Sequence, residues 1–232
     1  MANDQHRPLA PTAGRADIDA FLARARTPTT GPAPGTPGRL IFALDATQSR
    51  QLTWDIACHL QGEMFEEVTR VGGLEIQLVY YRGMRECQAS RWVSDGKALA
   101  DMMAEIDCRS GLTQIGRVLE HVRKEHARQK VQAFVFVGDA MEEQPSELQA
   151  AAAGLGVPGF VFQEGDDPIV ARVFKEIARL TKGAHCHFTA GAARELAELL
   201  RAVAAYAAGG RDTLLANKTA AGSKLLLQLP PR

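Results

Sequence analysis

Short apolar runs alternate along the chain with stretches in which apolar residues recur every three or four positions. The first run, Leu40–Leu44, is apolar throughout, which is typical of a strand buried on both faces of a sheet. Two extended segments at 74–82 and 89–93, joined by a polar turn at 82–86, predict neighbouring strands in a hairpin. Later apolar runs predict further buried strands, at 131–137, 160–162 and 186–188.

Segments with helical periodicity separate these runs. In each of them the apolar residues follow the i, i+3, i+4, i+7 spacing that places them on one face of a helix. They predict helices at 50–70, 99–106, 115–122, 169–180 and 196–203. Parallel neighbouring strands need a crossover connection, so the alternation predicts an α/β fold. The expected architecture is three-layered, doubly wound and Rossmann-like: a mostly parallel sheet between helices, with one antiparallel edge strand.

The two ends of the chain fall outside this alternation. Residues 1–37 are rich in Pro, Gly, Ala, Thr and Arg, a composition that predicts a flexible tail. Within the tail, 16–26 has the spacing of a short amphipathic helix. The main domain is expected at 38–208. In the C-terminal extension, 209–232, a Leu-rich run could add an edge strand, pack on the helical layer or contact a partner.

Composition narrows the possible partners and location. The 232 residues include 27 Lys+Arg and 27 Asp+Glu, so the formal net charge is zero. This balance argues against a nucleic-acid or membrane-surface binder. The sequence has neither a secretory signal nor an apolar run of the ~20 residues that span a bilayer, so we expect a cytoplasmic protein. Four cysteines without a CxxC pair are expected to be reduced thiols.

Oxygen-bearing side chains follow the predicted strands. Asp45, Thr47 and Ser49 come after the first strand, Thr113 precedes a helix, and Asp139 follows the run at 131–137. Because parallel strands end at the same edge of a sheet, these residues are expected to meet in one crevice. Carboxylates and hydroxyls are ligands for a hard divalent cation. Taken singly, Ser49 and Thr113 could instead be helix N-caps.

Three segments resemble the motifs of the von Willebrand factor A (VWA) domain: LIFALDATQS, SGLTQI and FVGDAMEE. The resemblance covers about 38–208 and indicates the intracellular bacterial type of this family. It implies a metal-ion-dependent adhesion site (MIDAS) that holds Mg²⁺ or Mn²⁺. By position, the implied ligands are Asp45, Thr47, Ser49, Thr113 and Asp139.

The same resemblance implies a function in protein–protein recognition rather than catalysis. A Glu or Asp of the partner would complete the metal's coordination, and intracellular members often work with assemblies such as AAA-type ATPases. The chain departs from the family pattern at three positions. Thr47 replaces the usual Ser, Leu112 stands where Gly is common, and Ala140 follows Asp139 where Gly is frequent.

Two other functional hypotheses remain open. An apolar strand ending in Asp-x-Thr also resembles the nucleophile loop of haloacid-dehalogenase-like phosphatases, which would make Asp45 the nucleophile of a metal-dependent hydrolase. That chemistry uses a second Asp as the acid two residues later, where this chain has Thr47. Glu142 and Glu143 could act as a base beside a metal, although solvated surface acids are commoner. A purely structural domain is the third hypothesis.

Two further patterns have simpler explanations. The segment 154–159 matches G-x-G-x-x-G, but a predicted helix precedes it and a strand follows, the reverse of a dinucleotide site. It is therefore interpreted as a loop that ends a helix. His185 and His187 fall on one face of a short strand and could begin a zinc site, but without further ligands nearby in the sequence a structural or exposed pair is favoured.

Overall fold

The computed structural model of the chain describes residues 37–51, 73–188 and 193–231. The predicted tail helix at 16–26 lies outside these residues, as does nearly all of the predicted helix at 50–70. Within the described ranges, no helix combines the length and the apolar composition needed to cross a bilayer.

The described strands form a six-stranded sheet in the order β3-β2-β1-β4-β5-β6. Five strands are parallel, and the edge strand β3 runs antiparallel to β2. The bounds are β1 Gly38–Asp45, β2 Leu74–Arg82, β3 Glu86–Ala89, β4 Ala133–Gly138, β5 Gly159–Glu164 and β6 Ala184–Phe188. The doubly wound, mostly parallel sheet with one antiparallel edge strand is therefore confirmed.

Helices follow the strands in the described segments. Their bounds are α1 Gly96–Ala104, α2 Ile115–Arg128, α3 Pro145–Ala152, α4 Pro168–Leu180, α5 Ala193–Ala216 and α6 Ala220–Leu226. The start of α4 is fixed by local chemistry, because the Asp167 carboxylate accepts the amide hydrogens of Ile169 and Val170. Pro168, which has no amide hydrogen to satisfy, occupies the first helical turn.

Apolar side chains cover both faces of the sheet. One cluster joins alternate residues of β1, such as Leu40 and Phe42, to α1, α5 and α6. The other joins Ile41 and Ala43 of β1 to α2, α3 and α4. Since β1 lies between two strands and between two helical layers, all eight of its residues are buried, as its uninterrupted apolar run predicts.

The hairpin is shorter than the sequence predicts, and its second strand was placed wrongly at 89–93. β3 ends at Ala89 because the Ser90 hydroxyl accepts the amide hydrogen of Leu78 at 3.0 Å. This side-chain bond replaces a backbone bond of the ladder, and Ser90 Oγ also donates to the Arg91 carbonyl. Pairing resumes at Val93, in an isolated bridge to Ile76.

The C-terminal segment packs on the helical layer. α5 passes through residue 208 and kinks at Gly210, where φ is 72°. The Leu-rich run, 224–229, begins in the last turn of α6 and continues past its end, and its residues Leu225 and Leu229 enter the first apolar cluster. Of the three possibilities for this run, helix packing is the one observed. The division between 208 and 209 stays a prediction.

A side chain covers part of the outer edge of β6. The Gln228 carboxamide accepts the amide hydrogen of His185 and donates to its carbonyl, both at 2.9 Å. These two groups point away from β5, toward the side of β6 on which a seventh strand would bind. Gln228 thereby gives them the bonds that another strand would provide.

Candidate functional site

The end of β1 gathers three of the predicted site residues. Asp45 is 2% exposed, and its Oδ1 accepts the amide hydrogen of Thr47 at 2.7 Å. The chain then turns through a short 3₁₀ segment, Gln48–Arg50, which brings the hydroxyl oxygens of Thr47 and Ser49 within 3.3 Å of each other. The carboxylate and both hydroxyls therefore share one small region at the carboxyl edge of the sheet.

Asp139 follows β4 and interacts with Asp45 electrostatically. Burial raises the pKa of Asp45, hydrogen bonds from Thr47 oppose the increase, and the negative charge of Asp139 adds to it. Asp45 Oδ2 and Asp139 Oδ1 are both buried without a hydrogen-bond partner among the described residues. Two unsatisfied carboxylate oxygens that share a site are costly for a fold unless a cation or a proton balances them.

Thr113 lies against the loop that follows Asp139. Its hydroxyl donates to Glu143 at 2.5 Å and accepts the amide hydrogen of Glu142 at 2.9 Å. The Thr113 amide in turn donates to the Glu142 carboxylate at 2.7 Å. These contacts connect the second predicted motif to the third, although Glu142 and Glu143 are not among the predicted ligands.

The N-cap alternative for Thr113 is wrong. The capping position of α2 is Gln114, which makes no side-chain cap bond. Glu143 instead accepts the amide hydrogen of Gly116 at 3.2 Å, so an acid from a different loop satisfies the first turn of the helix. The Thr113 hydroxyl is thus positioned by the loop after β4 rather than by its own helix.

Backbone contacts hold the Thr113 loop against its neighbours. The Arg109 amide donates to the Ala46 carbonyl at 3.0 Å, which joins this loop to the one that contains Thr47. The Gln114 carboxamide donates to three carbonyls around the β2–β3 turn, those of Arg82, Gly83 and Glu86. Gln114 is not among the residues predicted from the sequence, where its only signal is its place next to Thr113.

The available oxygens fit a hard divalent cation. In the described part of the chain, no three His, Cys, Asp or Glu side chains are arranged to hold a metal ion. A site here would therefore combine the carboxylates of Asp45 and Asp139 with hydroxyl oxygens, a set that suits Mg²⁺ and leaves room for water. The two buried, unpartnered carboxylate oxygens are the observation that favours such an ion.

Exposed apolar side chains flank this region. Met84, in the β2–β3 turn, is 68% exposed, and Leu112 is 44% exposed. The two segments are in contact, since the Leu112 amide donates to the Gly83 carbonyl at 3.2 Å. The edge of the sheet therefore offers apolar surface beside charged and polar groups.

The other two motifs have structural explanations. Residues 154–158 lie between α3 and β5, and Gly159 begins β5, as expected for a loop that ends a helix. His185 is buried with Nε2 3.1 Å from the Gln163 side-chain oxygen, and His187 Nε2 lies 2.8 Å from Asp166 Oδ1. The two histidines thus have separate partners.

Sheet order, crossovers and the polar loops at one sheet edge define a doubly wound α/β protein with its candidate site in the usual crevice. Within that class, the fold is of the VWA type, as solved structures show. The VWA domain of SpRpn10 aligns with a TM-score of 0.55 at 13% identity, covering 75% of this chain and 98% of that domain.

Two larger proteins contain the same fold. A von Willebrand factor type A protein from Catenulispora acidiphila aligns over 75% of this chain with a TM-score of 0.56 at 13% identity. The pilus adhesin SpaC from Lactobacillus rhamnosus GG gives 0.58 at 9% identity over 75% of this chain. The alignments span 43% of the Catenulispora protein and 30% of SpaC. No protein-family model and no curated protein matches the chain.

Proposed function

We propose that the chain is a metal-dependent protein–protein recognition module. In this proposal Asp45, Thr47, Ser49, Thr113 and Asp139 hold Mg²⁺ or Mn²⁺ as a MIDAS. A Glu or Asp of a protein partner completes the coordination. Hydroxyl ligands carry no charge, so the ion keeps enough positive charge to attract an external carboxylate.

The observation that carries the proposal is the pair of buried, unpartnered oxygens, Asp45 Oδ2 and Asp139 Oδ1. A bound cation would remove the cost of leaving them unsatisfied. The nearby hydroxyls of Thr47 and Ser49 are suited to be further ligands on the protein side of the ion.

The surroundings favour a macromolecular partner. Met84 and Leu112 offer a partner an apolar contact area. This area lies next to the position where the partner's Glu or Asp would bind the metal. Among proteins with this fold, SpaC is a pilus adhesin. A cytoplasmic assembly such as one built around an AAA-type ATPase is the kind of partner that we propose for this chain.

Recognition is proposed in preference to phosphatase-like hydrolysis by Asp45. Position 47 is a 7% exposed Thr whose amide is bonded to Asp45, so the place of the required second acid is taken by a hydroxyl. Phosphate-ester hydrolysis in Mg²⁺ that is lost in Asp45→Asn would favour the hydrolase instead.

The test is thermal unfolding of chelator-treated protein in increasing Mg²⁺ or Mn²⁺. A ligand at 100 times its Kd stabilises the folded state by about 2.7 kcal/mol. We expect this stabilisation in the wild type and in Asp101→Asn, a control on the exposed face of α1. We expect none in Asp45→Asn or Asp139→Asn.

The chelated state provides a second measurement on the same proteins. Without metal, Asp45→Asn should unfold at a higher temperature than the wild type, because it removes a buried charge near Asp139 and retains an oxygen for the Thr47 amide. Equal metal stabilisation in the wild type and both site variants would refute the proposed ligand set.

A further inference from the structure

A second concavity lies at the opposite edge of the sheet from the candidate metal site. Residues that come just before three parallel strands line it: Gln132 before β4, Pro158 before β5 and Lys182 before β6. Its volume is about 390 Å³, within the range of roughly 300–1,000 Å³ of small-molecule sites. None of the proposed metal ligands lines this cavity.

The walls of the cavity are largely apolar. Pro158, Leu180 and Pro230 are apolar lining residues, and Tyr206 of α5 adds an aromatic one. That ring is held in place by edge-to-face packing on Phe160, with 5.1 Å between the centroids. Such walls suit the flat apolar body of a small organic molecule.

Some of the polar groups in the lining already have partners inside the protein. Gln132 accepts the Arg39 amide hydrogen at 2.5 Å, and Thr181 Oγ1 donates to carbonyls at the end of α4. His126 Nδ1 accepts the Val131 amide hydrogen at 3.1 Å. The neutral His126 ring must then carry its hydrogen on Nε2, which makes it a donor at the cavity.

The charges in the lining have one sign. Lys130 and Lys182 both line the cavity and are exposed, and neither makes an ion pair with a described residue. No Asp or Glu is among the lining residues. Two helices, α2 and α4, end beside the cavity, and some of their terminal carbonyls already accept hydrogen bonds. Arg39 Nη1 donates to the Gln129 carbonyl, and Thr181 Oγ1 donates to two carbonyls in the last turn of α4.

Lys182 has an unusual backbone conformation. It follows α4 with φ at 58°, in the left-handed region where glycine is the usual residue after a helix. A side chain strains the backbone in this region, whereas glycine adopts it freely. The chain thus places a lysine at the mouth of the cavity, at a position where glycine would be more stable.

We propose that this cavity binds a small organic anion, a molecule with a flat apolar body and one carboxylate. The body lies between Pro158, Leu180 and the Tyr206 ring. The carboxylate pairs with Lys182 and Lys130 and accepts a hydrogen bond from His126 Nε2. The proposal does not depend on metal binding at the other edge of the sheet.

The test uses 2-naphthoate as the probe and neutral 2-naphthamide as its uncharged counterpart, each titrated by calorimetry in the presence of chelator. The informative variant is Lys182→Gly, which removes the ammonium and relieves the strained backbone, so we expect it to fold at least as stably as the wild type. The matched control is Lys218→Gly, because Lys218 also has a positive φ of 48° and does not line the cavity.

We expect naphthoate to bind the wild type and Lys218→Gly equally, and Lys182→Gly about tenfold more weakly, the loss of one charge-assisted hydrogen bond. Naphthamide should bind all three proteins with the same, weaker affinity. Both variants should unfold at a higher temperature than the wild type. Failure of naphthoate to bind the wild type at millimolar concentration, or equal binding by Lys182→Gly, would overturn the proposal.

Discussion

At the scale of single residues, the candidate metal site depends on how the Thr113 hydroxyl is used. The hydroxyl gives its hydrogen to Glu143 and one lone pair to the Glu142 amide, which leaves one lone pair for a metal. Donation to a carboxylate makes a hydroxyl oxygen a better ligand and fixes its direction. Glu143 would thus support the site without touching the ion.

Changing Glu143 should therefore affect both stability and metal binding. Glu143→Ala removes the partner of Thr113 and of the Gly116 amide, so we expect the free energy of unfolding to fall by about 1 kcal/mol. Glu143→Gln keeps an acceptor oxygen but loses the charge, and should lose less stability. Both variants should bind Mg²⁺ several-fold more weakly in calorimetric titrations.

The matched control is Glu198→Gln, which makes the same charge change on the exposed surface of α5. It should unfold and bind Mg²⁺ as the wild type does. If Glu143→Ala bound Mg²⁺ more tightly than the wild type, Glu143 would be a competitor for Thr113 rather than its support.

The buried ring of His185 should make the stability of the protein depend on pH. Burial and the nearby positive charges of Lys175, His187 and Lys224 lower its pKa from 6.5 to about 4. Below pH 6.5 the unfolded chain binds a proton that the folded chain excludes. The free energy of unfolding should fall as the pH drops from about 6.5 to about 4, by a total on the order of 3 kcal/mol.

The check is denaturant unfolding of the wild type and His185→Gln across this pH range. The variant lacks the titrating ring, so its stability should decline less between pH 6.5 and pH 4.5, above the range in which most carboxylates titrate. Parallel curves for the two proteins would show that His185 does not cause the decline.

The sequence indicates the position of each predicted ligand but few of their contacts. Asp45 and Asp139 are predictable because a buried apolar run ends at each of them, and parallel strands end at one edge. The bond between Thr113 and Glu143 joins residues 30 positions apart. It depends on how the two loops pack against each other, and hydrophobic periodicity carries no information about that packing.

At the scale of elements, the parallel strands and four of the described helices, α1, α2, α4 and α5, overlap the segments that the hydrophobic pattern predicts. Each buries a continuous run or a helical stripe that only one arrangement of layers can cover. The second strand of the hairpin lies at Glu86–Ala89 instead of 89–93, so it begins where the pattern predicts a turn, and it ends where the Ser90 hydroxyl takes the Leu78 amide hydrogen. A single polar side chain decided that boundary, and hydrophobic patterning is insensitive to it.

Close backbone contact positions the Thr113 loop against the hairpin turn. A Cβ on Gly111 would overlap the backbone of Gly83. We expect Gly111→Ala to displace the loop, to lower the melting temperature and to weaken stabilisation by Mg²⁺. Thermal unfolding with and without Mg²⁺ measures both effects.

Gly116→Ala provides the matched control for this prediction. In α2 a Cβ at this position would meet only Leu148 Cδ2, at 3.8 Å. Alanine is the better helix former, so Gly116→Ala should raise the free energy of unfolding by about 0.5–1 kcal/mol. Mg²⁺ should stabilise this variant as much as it stabilises the wild type. If Gly111→Ala and Gly116→Ala lowered the melting temperature and the stabilisation by Mg²⁺ equally, the contact between Gly111 and Gly83 would not be what positions the Thr113 loop.

At the scale of the whole molecule, the C-terminal segment belongs to the same apolar core as the central strands. Leu225 of α6 is 0% exposed, whereas Leu227, the residue directly after α6, is 88% exposed. The Leu-rich run looks uniform in sequence, but the helix buries one side and leaves the other in water.

This contrast yields a paired prediction. Leu225→Ala should lower the free energy of unfolding by about 2–5 kcal/mol, because it leaves a cavity in the core. Leu227→Ala should change it by less than about 0.5 kcal/mol. Denaturant unfolding measures both, and a single transition in Leu225→Ala would show that the C-terminal helix unfolds together with the sheet. Equal effects of the two substitutions would contradict this packing.

The Gln228 carboxamide at the outer edge of β6 also bears on how copies of this protein behave when crowded together. A parallel sheet with a bare edge can recruit a strand from a neighbouring molecule and so template fibre growth. Here an incoming strand must first displace a tethered amide that already occupies both His185 backbone groups. The Gln228 bonds to His185 re-form within one molecule, whereas a strand of another molecule must bind from solution. The covered edge therefore favours solubility at high concentration.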